Sequence, residues 1–162
     1  MKEELNFPLP YDYRLIDDTY HFTTISGVQY IAYFVDISSA FDVENVYSFG
    51  FDRKYDILAS RDAVHIKYDV RVNATVVEIL RHFFKNNGNV MLFTCYDLDK
   101  KEAGRSRLFQ RWFTTFATDE FDKVDGNAAN TFNSIILHRA HPEYHIIVAK
   151  FKLFMSYLEY DD

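Results

Sequence analysis

The sequence predicts an α+β domain with a mixed, mainly antiparallel sheet and the element order β-β-β-α-β-α-β-β-α. Three observations support this fold class. Strand-forming residues alternate on both sides of Ser26–Gly27, residues 68–116 combine two helical patterns with an apolar strand between them, and a further strand pair precedes a closing helical pattern. The 162 residues are enough to bury a core, and we expect a single domain over residues 1–162, with residues 1–18 as an irregular N-terminal arm.

The first half of the chain has the pattern of an antiparallel meander. Strands are expected at Tyr13–Ile16 within the arm, Tyr20–Thr24, Val28–Val35 and Val46–Phe51. Ser26–Gly27 supplies the turn of a hairpin. Residues 36–45 are expected to be a polar connection. Residues 52–68 lack periodicity and are expected to be mainly a loop, which can include a short strand at Val64–Lys67.

The helix–strand–helix unit of residues 68–116 forms the centre of the predicted fold. Its first helix is expected to begin near Thr75, which can form a capping box with Glu78. Asn73 is the alternative cap. The helix should end at Asn86–Asn87–Gly88, because glycine tolerates the left-handed conformation that follows many helices.

The second half of this unit is strongly apolar. Val90–Cys95 is an uninterrupted apolar run, which predicts a strand that is covered on both faces. After a charged loop at residues 97–102, a helix over about residues 103–117 places an aromatic stripe with Trp112 in the core.

The last part of the chain is expected to contain a strand pair and a helix. The strands are Phe121–Val124 and Thr131–His138, with a turn signal at Asp125–Gly126–Asn127. Pro142 suits the first turn of a helix, so His141–Pro142 should open the closing helix. The expected core-facing stripe of that helix is Ile147, Phe151, Phe154 and Leu158.

Composition and charge limit the function classes. Nearly half of the residues are hydrophobic, which excludes a disordered chain, and the net charge of −6 argues against nonspecific nucleic-acid binding. The single cysteine, Cys95, cannot form an internal disulfide and favours a reducing compartment. The N-terminus lacks a secretory pattern, and no apolar run approaches the length of a membrane span. We therefore expect a cytoplasmic protein that does not interact with membranes.

The order of elements and the texture of residues 70–116 resemble the GNAT-type N-acetyltransferase fold. In that family a glycine-rich loop before the first central helix cradles the coenzyme A pyrophosphate. The resemblance implies that Arg71, Asn73, Ala74 and Thr75 bind this cofactor at the helix N-terminus, where free amides attract anions. It also implies acetyl-CoA as the ligand and acyl-CoA-dependent N-acyltransfer as the activity. More narrowly, the segments RVNATVVEIL and GRSRLFQRWF resemble uncharacterised domain-of-unknown-function proteins common in Bacteroidota.

The chain departs from the acetyltransferase pattern at positions that matter for the chemistry. Asn73 and Thr75 stand where the family prefers glycine, so the backbone is less open to a pyrophosphate. Phe109 aligns with the tyrosine that often protonates the departing thiolate, and phenylalanine has no proton to give. We therefore expect a non-enzymatic binding or interaction protein with no cofactor, and keep N-acyltransfer as the alternative.

Two groups of side chains are candidate sites that also have a structural interpretation. One is the basic set Lys100, Lys101, Arg105, Arg107 and Arg111. It could bind an anion, a nucleic acid or a protein partner, but a solvated helix face paired with Asp97, Asp99 and Glu102 is the favoured interpretation. The other is the helix start, where Arg71 could instead pair with Asp69 while Asn73 caps the helix.

Neither the histidines nor any other set of side chains forms a catalytic or metal-binding motif. His141 and His145 have the spacing of a metal-binding pair, but no third ligand is evident, so structural roles are expected and no metal is predicted. The sequence indicates neither catalytic residues nor an oligomeric state.

Overall fold

The described strands form one mixed sheet in which a single parallel pairing joins two antiparallel halves. The computed structural model describes residues 8–54, 69–96, 102–117, 119–128 and 131–158. In these ranges the strands are β1 (Arg14–Ile16), β2 (Thr19–Thr23), β3 (Gln29–Asp36), β4 (Val46–Arg53), β5 (Val90–Tyr96), β6 (Phe121–Ala128) and β7 (Thr131–His138). The helices are α1 (Ser38–Phe41), α2 (Val70–Phe83), α3 (Glu102–Phe116) and α4 (Tyr144–Leu158).

The order of the strands in the sheet is β1-β2-β3-β4-β5-β7-β6. Strands β1, β2, β3 and β4 pair antiparallel with one another, and β5, β7 and β6 form a second antiparallel set. β4 and β5 are parallel, and their ladder runs only from Val46↔Val90 to Phe49↔Phe93. Because β4 continues to Arg53 and β5 to Tyr96, the two strands end without pairing. We call the gap between residues 50–53 and 94–96 the β4–β5 opening.

Two helices cover each face of the sheet, so the molecule has three layers. On one face, residues of α2 and α3, including Val76, Leu80 and Trp112, form a core with Phe49 and Met91 of the sheet. On the other face, α1 and α4 build a second core. Its members are Phe41, Val43, Val46, Val90, Leu92, Ile135, Leu137, Ile147, Phe151 and Met155. The two faces of β5 are therefore both covered, as the apolar run at Val90–Cys95 predicted.

Tight turns connect the first three strands. Asp17 and Asp18 join β1 to β2 with φ values of 48° and 60°, a left-handed pair that suits a two-residue hairpin and that aspartate tolerates. Gly27 adopts a φ of 86° in the next hairpin, where its amide donates to the carbonyl of Thr24. The predicted turn at Ser26–Gly27 is confirmed.

The start of α2 was predicted incorrectly. The helix begins at Val70 and is capped by Asp69, whose carboxylate accepts a hydrogen bond of 2.9 Å from the amide of Arg71. Asn73 and Thr75 therefore lie within the helix and do not cap it. Asp69 is as good a cap as either residue, and its position lets the helix include the buried Val72 and Thr75.

The predicted turn at Asp125–Gly126–Asn127 is also wrong. These residues continue β6, where Asp125 pairs with Ser134 and Gly126 pairs with Asn133. A Cβ on Gly126 would lie 2.7 Å from Cγ of Met155 and 2.9 Å from Cζ of Phe151. The glycine is thus required because α4 approaches the strand closely, and a turn is not involved.

The remaining predicted elements are present, and most of their bounds differ by no more than two residues. The exceptions are β6, which continues to Ala128, and α4, which begins at Tyr144 and not at His141–Pro142. The predicted end of α2 at Asn86–Asn87–Gly88 is also wrong, because the helix ends at Phe83 and Gly88 does not adopt a positive φ.

Within the polar connection at residues 36–45, the one-turn helix α1 buries Phe41. In α4, Met155 is buried instead of Leu158, which is 37% exposed. Val64–Lys67 and most of the predicted loops at residues 52–68 and 97–102 lie outside the described residues.

We predict that Gly126→Ala lowers the free energy of unfolding by about 1–3 kcal/mol, because the added methyl group overpacks the contact with Phe151 and Met155. Urea unfolding of both proteins would measure the difference. Gly88→Ala is the matched control, since its Cβ meets only the side-chain oxygen of Asn86, at 3.2 Å. An equal loss in the two variants would contradict the assigned role of Gly126.

Candidate functional site

The N-terminus of α2 holds the residues that the sequence proposed for cofactor binding. Asp69 places a carboxylate there, and this carboxylate already has two donors: the amide of Arg71 and the phenol of Tyr11 at 2.5 Å. A helix N-terminus attracts anions through its free amides and dipole. In this protein the chain's own carboxylate takes that position.

Tyr11 fastens the N-terminal arm to α2. Its backbone amide donates to Oγ1 of Thr75 at 2.8 Å, and its ring stacks on Phe22 with 6.2 Å between the centroids. The phenol oxygen also accepts a hydrogen bond of 3.4 Å from the amide of Ile25. The hydrogen bond to Asp69, followed by burial, raises the pKa of Tyr11 above its ordinary value.

Residues of the N-terminal arm also bind the side chain of Arg71. Its Nε donates to the carbonyl of Leu9 at 2.9 Å, and its Cζ lies 3.9 Å from the centroid of the Tyr11 ring, a cation–π contact. Arg71 therefore binds residues of the arm, and it does not pair through its guanidinium with Asp69 in any hydrogen bond among the described residues.

The other three proposed cofactor ligands lie in the first two turns of α2. Thr75 is fully buried, and its hydroxyl donates to the carbonyl of Arg71 while accepting from Tyr11. Asn73 accepts a hydrogen bond of 2.9 Å from the indole of Trp112, and Ala74 is half-buried. The structure thus brings the four residues together, and cofactor binding by them remains a prediction.

Aromatic side chains of α3 bridge the β4–β5 opening. Trp112 contacts Phe51 of β4 edge-to-face at 5.3 Å, whereas Phe109 stacks on Phe93 of β5 at 3.8 Å. Trp112 and Phe109 are both buried, which confirms that the aromatic stripe of α3 is core. The rings of α3 therefore pack against β4 at the opening and against β5 at the last pair of the ladder.

The predicted basic site is described only in part. Arg107 and Arg111 lie exposed on α3. Lys100 and Lys101, and the side chain of Arg105, lie outside the described residues. The two described arginines are accessible to a ligand, and binding by the basic set stays a prediction.

A second candidate site lies at the opposite end of α2. It is an open cleft of about 390 Å³ between the sheet and the end of the helix. We call it the aromatic cleft. Its lining residues are Leu15, Asp18, Tyr20, Phe34, Tyr47, His82, Phe83, Lys85, Asn86 and Asn89.

Stacked rings form the walls of the aromatic cleft. Phe83 of α2 stacks on Phe34 of β3 with the centroids 4.0 Å apart, and Tyr47 of β4 meets the same ring edge-to-face at 5.5 Å. Phe34, Tyr47 and Phe83 are each half-buried. The stack covers one face of Phe34 and one face of Phe83, and the remaining exposed surface of these rings and of Tyr47 is apolar surface that a ligand can contact.

A tyrosine–histidine pair joins the two walls. The hydroxyl of Tyr20 and Nδ1 of His82 are 2.6 Å apart, and the tautomer of His82 decides which of them donates. Burial, and next the nearby Tyr13 and Asp18, raise the pKa of Tyr20, so its phenol stays neutral at physiological pH. Because this bond uses Nδ1, the second ring nitrogen of His82 remains for another partner.

Charged and amide side chains complete the cleft. Asp18 stands on the sheet side and Lys85 on the helix side, and both are exposed. Asn86 accepts a hydrogen bond from the amide of Gly88, and Asn89 donates to the carbonyl of Phe83. These two bonds fix the asparagines and leave the amide group of Asn86 and the side-chain oxygen of Asn89 for other contacts.

Sequence reasoning missed the aromatic cleft. Its central pair, Tyr20 and His82, is separated by 62 positions in the chain. The only local signal was the polar turn Asp17–Asp18 between two strand patterns, which identifies the edge of the cleft but none of its partners.

Metal-binding and membrane-spanning features are absent from the described part of the chain. No three His, Cys, Asp or Glu side chains there converge on a metal site. His141 instead bonds the carbonyl of Gly88 and accepts the amide of Glu143. None of the helices in the described ranges is long and apolar enough to cross a membrane.

We predict that Tyr11→Phe lowers the free energy of unfolding by about 1–3 kcal/mol at pH 7, because Asp69 loses a buried donor. The folded-state pKa of Tyr11 is raised, so its contribution is complete below the unfolded value near 10.0 and is lost as the pH rises through the folded value. The difference in the free energy of unfolding between the wild type and Tyr11→Phe should therefore become smaller above pH 10.

Urea unfolding between neutral and alkaline pH would test this. The control is Tyr157→Phe, because Tyr157 is 63% exposed and the change should cost less than about 0.5 kcal/mol. A difference in the free energy of unfolding that stays constant through the alkaline range would contradict the assigned hydrogen bond.

Comparison with known proteins places the chain in a family. No curated protein and no solved structure matches it. The model of the Family of unknown function (DUF6169) matches residues 68–153, which include α2, β5, α3, β6, β7 and most of α4. This range covers more than half of the chain and contains the RVNATVVEIL and GRSRLFQRWF segments. The chain therefore belongs to the DUF6169 family.

Proposed function

We propose that this protein is a non-enzymatic binding protein with an acetyltransferase-like fold, and that it takes a small aromatic ligand into the aromatic cleft. The observation that supports this function best is the cleft itself, an open space of about 390 Å³ with ring-lined walls and several polar groups at hand. Ligand sites commonly combine mostly apolar walls with a few polar groups that fix orientation.

The element order supports the acetyltransferase-like fold. From β2 onward the order of the sheet strands and long helices is the one that suggested the resemblance, with the single turn α1 added. The β4–β5 opening lies beside the N-terminal half of α2, since Phe51 at the opening contacts Trp112, which bonds Asn73. This is where the resemblance puts a cofactor.

The same region supports binding without acyl transfer. A pyrophosphate at the N-terminus of α2 would meet the carboxylate of Asp69, and the guanidinium of Arg71 is engaged by the arm. Phe109 stacks on Phe93 and offers no proton for a thiolate. Acyl-CoA-dependent N-acyltransfer is therefore the alternative with less support.

Other features of the proposal come from the sequence. The lone Cys95 and the composition favour a cytoplasmic protein built as a single domain over residues 1–162, and the resemblance to proteins common in Bacteroidota favours a bacterial source. A protein partner or an anion at the basic set remains an alternative, because Arg107 and Arg111 are exposed. The net charge of −6 disfavours nucleic acid as that partner.

We predict that millimolar acetyl-CoA leaves the thermal midpoint unchanged. A ligand that binds only the folded state raises the apparent stability, so binding would be visible as a higher midpoint. Differential scanning calorimetry with and without acetyl-CoA measures this. A rise that desulfo-coenzyme A also produces would show that the coenzyme A moiety binds, which would contradict the prediction and favour the acyltransferase alternative.

We predict that phenol and indole bind in the aromatic cleft with millimolar affinity and shift the ring signals of His82 in NMR spectra. Tyr47→Ala should weaken this binding, because it removes one ring wall. Tyr157→Ala is the matched control, since this exposed tyrosine lies on α4, on the other face of the sheet. Binding that both variants retain in full would contradict the cleft as the site.

A further inference from the structure

We infer that the ligand of the aromatic cleft is a small zwitterion with an aromatic side chain, the chemical class of a free aromatic amino acid. This inference rests on the proposed function and adds the charge pattern of the ligand. Size is the first argument. A volume of about 390 Å³ is at the small end of the roughly 300–1,000 Å³ of ligand sites, so the cleft suits a compact molecule.

The walls select an aromatic body. The Phe34–Phe83 stack offers parallel ring surfaces, and the edge of Tyr47 stands perpendicular to Phe83 with an interplanar angle of 89°. A ligand ring can extend this arrangement by offset stacking or by an edge-to-face contact. The rings are held by each other and by the helix, so little side-chain ordering is required on binding.

The charges select a zwitterion. Asp18 and Lys85 have opposite signs and belong to opposite walls of the cleft. Neither forms an ion pair with another described residue. A purely cationic ligand would gain from Asp18 but meet Lys85, and a purely anionic ligand would have the reverse problem. A molecule with an ammonium and a carboxylate gains from both.

The backbone around these charges is well defined. Asp18 sits in the two-residue β1–β2 turn with a φ of 60°, next to the pairing of Ile16 with Thr19. Lys85 follows the end of α2, and its amide donates to the carbonyl of His82. The bond between Tyr20 and His82 ties the two walls together, so the backbone positions from which Asp18 and Lys85 extend are set relative to each other.

Calorimetric titration of the full chain with three probes tests the inference. The probes are L-phenylalanine, 2-phenylethylamine, which lacks the carboxylate, and 3-phenylpropionate, which lacks the ammonium. We expect L-phenylalanine to bind most tightly. Asp18→Asn should weaken its binding about two- to fivefold and remove its advantage over 3-phenylpropionate. Lys85→Met should have a similar effect and remove its advantage over 2-phenylethylamine.

Asp119→Asn and Lys152→Met are the matched controls, because both residues are exposed and do not line the cleft. If either singly charged probe binds the wild type as tightly as L-phenylalanine, the zwitterion inference is overturned and binding in the cleft stands. The inference also fails if the control variants weaken binding as much as the cleft variants. If none of the three probes changes the NMR signals of His82 or Tyr47 but phenol or indole does, the inference is overturned and the proposed function stands. If phenol and indole also leave these signals unchanged, both are overturned.

Discussion

The four residue pairs between β4 and β5 are the constraint on which the rest of the structure depends. They hold two antiparallel halves in one sheet, and parallel neighbours need a long crossover between them. Helix α2 lies in that crossover, so its position follows from the parallel pairing. Its first residues then lie beside the β4–β5 opening, and its last residues meet the sheet at the aromatic cleft. One helix thus positions both candidate sites.

Local patterns in the sequence were sufficient to predict most elements, because the buried and exposed faces alternate with the period of a strand or a helix. They failed where contacts between segments that are far apart in the sequence determine the structure. Asp125–Gly126 has the composition of a turn, yet the glycine is there to admit α4. Likewise, Asp69, Asn73 and Thr75 are all suitable N-cap residues, and the stretch before Asp69 has no periodicity that marks the start of the helix. Only the packing of α2 determines which of the three is the cap.

The same difference between local and distant contacts applies to the two candidate sites. The resemblance to the acetyltransferase fold pointed to Arg71, Asn73, Ala74 and Thr75 as a group. It could not show that Leu9 accepts a hydrogen bond from Arg71 and that Tyr11 donates one to Thr75. The residues that line the aromatic cleft come from the strands β1 to β4, from the β1–β2 turn and from the end of α2 with the turn after it. No short segment of the sequence therefore contains the cleft. Tertiary structure alone brings Tyr20 to His82.

The contact between Tyr11 and Thr75 has a consequence for how the chain folds during synthesis. The two residues are 64 positions apart, so the arm cannot find its partner until α2 has left the ribosome. The hairpins of β1 to β3 need only near neighbours and can pair earlier. The most N-terminal described segment is therefore secured only after α2 is made, and until then the contact between the rings of Tyr11 and Phe22 lacks the support of the helix.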